Sequence, residues 1–219
     1  MPVAIKICGV TEASGLEAAI RAGARYAGLV LAPASPRRLP LDQAQALAAQ
    51  ARGRIAVVAL LVDPDDALLA AVKARLAPDW VQLHGAESPQ RTAQARAYAH
   101  EGVIKALPIA QAEDFAAAAL YAPAADMLLF DAKAPPGSQR TGGHGAAFDW
   151  RLLSGRAIPR PWLLAGGLTP ANVAQAIALS GAPGVDVSSG VEDAPGLKNA
   201  DRIAAFAAAA QGGQAASRT

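Results

Sequence analysis

The sequence has a single cysteine, Cys8, and only three histidines, His84, His100 and His144, among 219 residues. A lone cysteine excludes an intrachain disulfide framework and a cysteine-cluster metal site, and it suits a reducing compartment. Charge is scarce too: charged residues make up 17% of the chain, the net charge is +2, and there is no basic run. So weak a field argues against nucleic acid as a partner. No apolar stretch reaches the roughly 18 residues a membrane span requires, and the first residues lack signal-peptide anatomy. The expectation is a soluble cytoplasmic protein that binds neither membrane nor nucleic acid.

What the sequence has in quantity is apolar matter, 53% of all residues, enough for one large core. It comes as short runs alternating with Ala-rich stretches of helical period. Eight runs read as strands: Ala4–Cys8, Tyr26–Leu31, Ile55–Val62, Trp80–Leu83, Val103–Leu107, Met127–Phe130, Trp162–Ala165 and Gly184–Val187. Near-continuous aliphatic runs fit parallel strands buried on both faces under helices. Thr11 is placed to cap the first helix, and Thr169-Pro170 gives a cap with Pro at the first helical position, ahead of a stop at Gly181. Eight such units predict a single-domain (β/α)₈ TIM barrel over residues 1–210, with 211–219 as a frayed tail. An open doubly wound sheet accounts for six or seven of the units, and periodicity alone leaves it open.

Alternation along the strands then points side chains. With Ile5 and Ile7 facing the helices, Lys6 and Cys8 face the lumen; by the same count Gln82, His84 and Asp186 face inward, and Asp131 ends the sixth strand. Taken singly, each has a bland reading: a buried thiol, a hydrogen-bonded histidine, a Lys6–Asp186 ion pair that sets register. Taken together at the carboxyl ends of several strands, they concentrate a desolvation cost that proteins bear mainly at sites. Gly166-Gly167 after the seventh strand and Ser188-Ser189-Gly190 after the eighth offer bare backbone N–H groups for a phosphate. Ser35-Pro36-Arg37-Arg38 adds guanidinium forks for a carboxylate, or for nothing but solvent. The Gly- and Pro-rich stretch Asp131–Ala146 reads as a binding loop, with 135–145 as a lid.

These segments together resemble the phosphoribosylanthranilate isomerases of tryptophan biosynthesis. The likeness lies in Lys6-Ile7-Cys8-Gly9, Ala32 to Arg37, Val81-Gln82-Leu83-His84-Gly85, Thr141-Gly142-Gly143 with Phe148-Asp149-Trp150, Leu164 to Leu168, and Gly184 to Glu192. It spans nearly the whole chain. The resemblance implies a cofactor-free, metal-free Amadori rearrangement of N-(5-phosphoribosyl)anthranilate to a deoxyribulose phosphate. It makes Cys8 the general base, Asp131 the general acid and Arg37 the holder of the anthranilate carboxylate. Gly166, Gly167, Ser189 and Gly190 would surround the phosphate, and Lys6, Gln82, His84, Asp186 and Ser188 complete the expected substrate-binding set. The chain departs from the family at His144, where Thr is usual, and at Lys198-Asn199, where Lys-Asp is usual; the second reads as a helix cap.

The chemistry sets its own demands. A thiol in water is a few per cent thiolate at pH 7, so the base needs a positive neighbour, and Lys6 is placed for it. A carboxyl in water at pH 7 is protonated about once in 10³ molecules, so the acid needs surroundings that hold its proton. Rival phosphate-binding barrels fit less well: ribulose-phosphate epimerases use His and Asp metal sets, and indole-glycerol-phosphate synthases need a Lys–Glu pair and a longer start. A phosphosugar-binding protein without turnover would bind ligand and leave it unchanged. The partner expected is a small phosphosugar, and both a monomer and a homodimer fit the length.

Overall fold

The structure, a computed structural model, describes residues 2–133 and 148–216, and side chains as far as residue 212. Its strands are β1 (Ala4–Cys8), β2 (Tyr26–Val30), β3 (Ala56–Leu61), β4 (Trp80–Leu83), β5 (Gly102–Ile109), β6 (Met127–Ala132), β7 (Trp162–Leu164) and β8 (Gly184–Val187). Each pairs in parallel with the next, and β8 returns to β1 to close the barrel. Closure decides between the two architectures that periodicity left open. The outer layer is α1 (Ala13–Arg21), α2 (Leu41–Ala51), α3 (Asp66–Leu76), α4 (Pro89–Ala95), α5 (Ala116–Tyr121), α6 (Val173–Ser180) and α7 (Ala200–Ala216). No described helix is long and apolar enough to cross a membrane.

The apolar residues divide as the strand period requires. Outward-facing Ile5, Ile7, Val81, Leu83, Val185 and Val187 pack against the helices. The amino-terminal half of the lumen is filled by Tyr26, Val58, Trp80, Ile104, Met127 and Leu129. Tyr26 and Trp80 meet edge to face there. That plug leaves the carboxyl-terminal half of the lumen, where Cys8, Val30 and Leu60 gather, as the open end.

Several local expectations change. Thr11 does not cap α1; its hydroxyl donates to Gly196 O at 2.6 Å, and the cap position falls to Glu12 without a side-chain bond. The helix after Thr169-Pro170 starts later, at Val173, because Asn172 Oδ1 accepts from Thr169 N and holds the intervening residues in turns. In the described part of the sixth connection a 3₁₀ turn, Trp150–Leu153, stands where a helix is expected, and Gly155, Pro159 and Pro161 follow it. The last helix runs on to Ala216, into the stretch expected to fray. Gln211 explains part of this, since its carboxamide donates to Val3 O and accepts from Val3 N, tying the helix to the start of β1. The lid expected over 135–145, including His144, lies outside the described residues.

Candidate active site

A cavity of about 380 Å³ opens at the carboxyl ends of the strands. Cys8 from β1, His84 after β4, Asp131 from β6 and Asp186 from β8 reach its wall, with Arg37 from the loop after β2. Gly166, Gly167, Ser188 and Ser189 form the rim at the loops after β7 and β8. Strand register explains the convergence: Lys6 pairs with Asp186 across β1 and β8, so both side chains enter the lumen at one level.

Three of the expected residues stand behind the wall rather than on it. Lys6 is fully buried and donates to Asp186 Oδ1 at 2.9 Å. Gln82 is fully buried beneath His84, with Nε2 3.0 Å from His84 Nδ1. Gly190 fits under the loop after β7; a methyl group in its place would stand 2.0 Å from Leu168 O. Asp131 is reached from the other side by His84, whose Nε2 lies 3.3 Å from Asp131 Oδ2. Asp131 Oδ1 accepts from Ala132 N at 2.9 Å.

The electrostatics around Cys8 differ from the simple expectation. Burial pushes the thiol up, Lys6 pulls it down, and Asp186 pushes it up again, so the net shift is upward. The Lys6 charge is divided between two partners. Burial works against that charge, yet Asp186 and then Cys8 outweigh it and hold the ammonium above its usual range. Gly28 on β2 makes room for this group: a methyl there would lie 3.0 Å from Cys8 Sγ and 3.2 Å from Lys6 Nζ.

The rim holds a charge cluster that no strand pattern revealed. A hairpin of β9 (Glu192–Ala194) and β10 (Leu197–Lys198) sets Glu192 opposite Lys198. Glu192 takes the Arg37 guanidinium at both oxygens, Nε at 2.8 Å and Nη2 at 2.7 Å, and accepts from Lys198 Nζ at 2.6 Å. Lys198 also donates to Ser188 O at 3.2 Å. Burial disfavours the Glu192 carboxylate, but its hydrogen bond to Arg37 and the charge of Lys198 win and hold it below the usual range. Arg37 therefore reaches the cavity with the fork already half engaged, and Nη1 is the nitrogen Glu192 does not touch. The signal for the hairpin was Pro195-Gly196, with Gly196 at φ +90°, as a tight turn demands at its third position. Asn199 does act as a cap, its Oδ1 accepting from Arg202 N at 2.9 Å.

A second unforeseen pair fixes the loop that carries His84. Lys105 faces outward from β5 and donates to Gly85 O at 2.7 Å and Glu87 Oε2 at 2.6 Å. Glu87 in turn accepts from Asp63 N at 2.8 Å, stitching the loops after β3 and β4 together.

Comparison with known proteins decides the family. The family model described as N-(5'phosphoribosyl)anthranilate (PRA) isomerase matches residues 5–209. The chain belongs to the phosphoribosylanthranilate isomerase family. An isomerase of Paracoccus denitrificans is 56% identical over 210 residues, covering 96% of this chain and 98% of that one. One from Paramagnetospirillum magneticum is 50% identical, covering 98% of this chain and 100% of that one. Among solved structures, the isomerase of Thermotoga maritima superposes with a TM-score of 0.86 at 32% identity, over 96% of this chain and 99% of that one. Another isomerase structure, at a TM-score of 0.83 and 29% identity over 96% and 99% of the two chains, holds reduced 1-(o-carboxyphenylamino)-1-deoxyribulose 5-phosphate. The likeness to the isomerase family thus takes in the whole barrel, residues 5–209.

Proposed function

We propose that this isomerase converts N-(5-phosphoribosyl)anthranilate to the 1-deoxyribulose phosphate with Cys8 as general base and Asp131 as general acid. The observation that carries the assignment is their placement: β1 and β6 deliver a thiol and a carboxyl to one cavity, with glycines and serines of two loops at its rim. Ring opening needs a proton at the furanose oxygen, and the rearrangement needs one removed from C2′; two groups reaching one sugar from different strands meet both needs.

The phosphate sits against Gly166, Gly167, Ser188 and Ser189 on the cavity wall, residue types whose backbone N–H groups and hydroxyls suit an anion, with Gly190 letting the two loops close on each other. Gly166 has φ +88°, and a side chain there would stand 2.6 Å from Ala132 N and 3.0 Å from Asp131 Oδ1. The phosphate loop and the acid are therefore in contact, which sets the distance between anchor and chemistry. Arg37 takes the anthranilate carboxylate through Nη1, steadied by Glu192. Lys6 and Asp186 act as a unit, Asp186 toward the sugar and Lys6 beneath the thiol. His84 takes part through Asp131. Substrate binding adds a phosphate and a carboxylate, so the cationic Lys198 and Arg37 at the rim favour it without a strong net field.

We place this reaction in the cytoplasm, in one barrel domain over residues 1–210, and a monomer suffices for it because every proposed group comes from one chain. The test is the fluorescence change on mixing pure protein with freshly generated phosphoribosylanthranilate. Cys8→Ser should fold and bind but lose most turnover, since a hydroxyl is a far weaker acid than a thiol. Near-normal turnover in that variant would remove Cys8 from the mechanism.

A further inference from the structure

Gln82 occupies a costly position. It is fully buried, and its carboxamide makes one hydrogen bond among the described residues, to His84 Nδ1 at 3.0 Å. Its Oε1 is also buried and has no partner there. Buried polar atoms without partners are uncommon, and a leucine or methionine would fill the same space without one. The two ends of a carboxamide have nearly the same shape and opposite hydrogen-bonding character. Because no second bond pins the group, a half-turn exchanges Nε2 for Oε1 at the imidazole and breaks nothing else.

The exchange has a consequence two residues away. With Nε2 toward the ring, Nδ1 accepts and the ring proton is on Nε2, which lies 3.3 Å from Asp131 Oδ2. With Oε1 toward the ring, Nδ1–H donates to Gln82, and Nε2 becomes an acceptor. That form sets the Nε2 lone pair against the Asp131 carboxylate, whose Oδ1 is already bonded to Ala132 N.

We propose that Gln82 is a positioning residue for proton donation: its carboxamide holds His84 in the tautomer whose Nε2–H faces Asp131. This rests on Asp131 being the acid. The other ionisable groups on the cavity wall near the pair are Cys8, Asp186 and Arg37. Lys6 below is engaged by Asp186, and Lys105 on β5 faces the opposite side of the sheet, toward Glu87.

The test joins ring ¹⁵N shifts with kinetics. Protein labelled with ¹⁵N-histidine, its His84 signals assigned by their loss in His84→Asn, should show one fixed His84 tautomer at pH 7. Gln82→Glu presents only acceptors and should place the proton on Nδ1. Gln82→Met, close in volume but without an amide, should release the ring into a mixture. Both variants should lose ~10-fold or more in kcat with KM within ~3-fold, as expected for a group that acts on proton transfer and does not line the cavity. A wild-type His84 that averages between tautomers overturns the proposal whether or not the variants fold. So does Gln82→Met with wild-type kcat, or a loss of kcat with His84 shifts unchanged. Asp131→Asn separates the two claims. If it keeps its kcat, Asp131 is not the acid and both fall; if it loses kcat while Gln82→Met retains it, only the role of Gln82 falls.

Discussion

Lys6 Nζ and Asp186 Oδ1 stand 2.9 Å apart, side by side on β1 and β8, directly beneath the cavity that Cys8 and Asp186 line. The pair settles how acidic the proposed base is. Burial raises the thiol first, Lys6 lowers it, and Asp186 raises it. Asp186→Asn removes one upward influence and frees Lys6 to act on sulfur alone. The pH midpoint of Cys8 alkylation by iodoacetamide should therefore move to lower pH in this variant, while in the wild type it lies above that of a free cysteine. A midpoint that stays or rises would show that Asp186 does not compete for Lys6.

Asp131→Asn keeps the shape of the side chain and its bond to Ala132 N but removes the transferable proton. We expect kcat to fall by ~10² to 10⁴, with KM within ~3-fold, measured by the fluorescence assay. An effect confined to KM would make Asp131 a binding residue.

Glu192 gives a pH-dependent prediction about stability. Its carboxylate is held below the usual range in the fold, so it stabilises the native state above the unfolded value of about 4.3 and loses that contribution as pH falls through the lower folded value. Glu192→Gln leaves Arg37 and Lys198 without their shared counter-charge. Removing one partner of a buried pair costs ~3–5 kcal/mol. Thermal unfolding should show the largest gap between variant and wild type near pH 7, shrinking below pH ~4. A gap independent of pH would assign the loss to packing instead.

What could be read from the chain follows the range of each signal. Strand alternation is local and strong, so Lys6 and Cys8, Gln82 and His84, and Asp186 were all placed on the lumen side, where they stand. Alternation does not say how far up the lumen a side chain ends, and Lys6 and Gln82 finish behind their partners. Glu192 was visible only as the end of a motif, because strands of two and three residues have no period to read. Lys105 and Glu87 were missed because a buried cation facing the helices breaks the pattern used to find it; its partner lies 18 positions earlier, in the loop after β4. Thr11 fits a helix cap by every local rule, yet the hairpin at Gly196 takes its hydroxyl.

The most direct test of the account is a crystal structure of this protein with the reduced product analogue bound. The expected result is the phosphate on Gly166, Gly167, Ser188 and Ser189, Cys8 Sγ within about 3.5 Å of C2′, and the Asp131 carboxyl at the oxygen released on ring opening. A complex in which the sulfur lies well beyond contact with the sugar carbons, or the phosphate binds away from those loops, would contradict it.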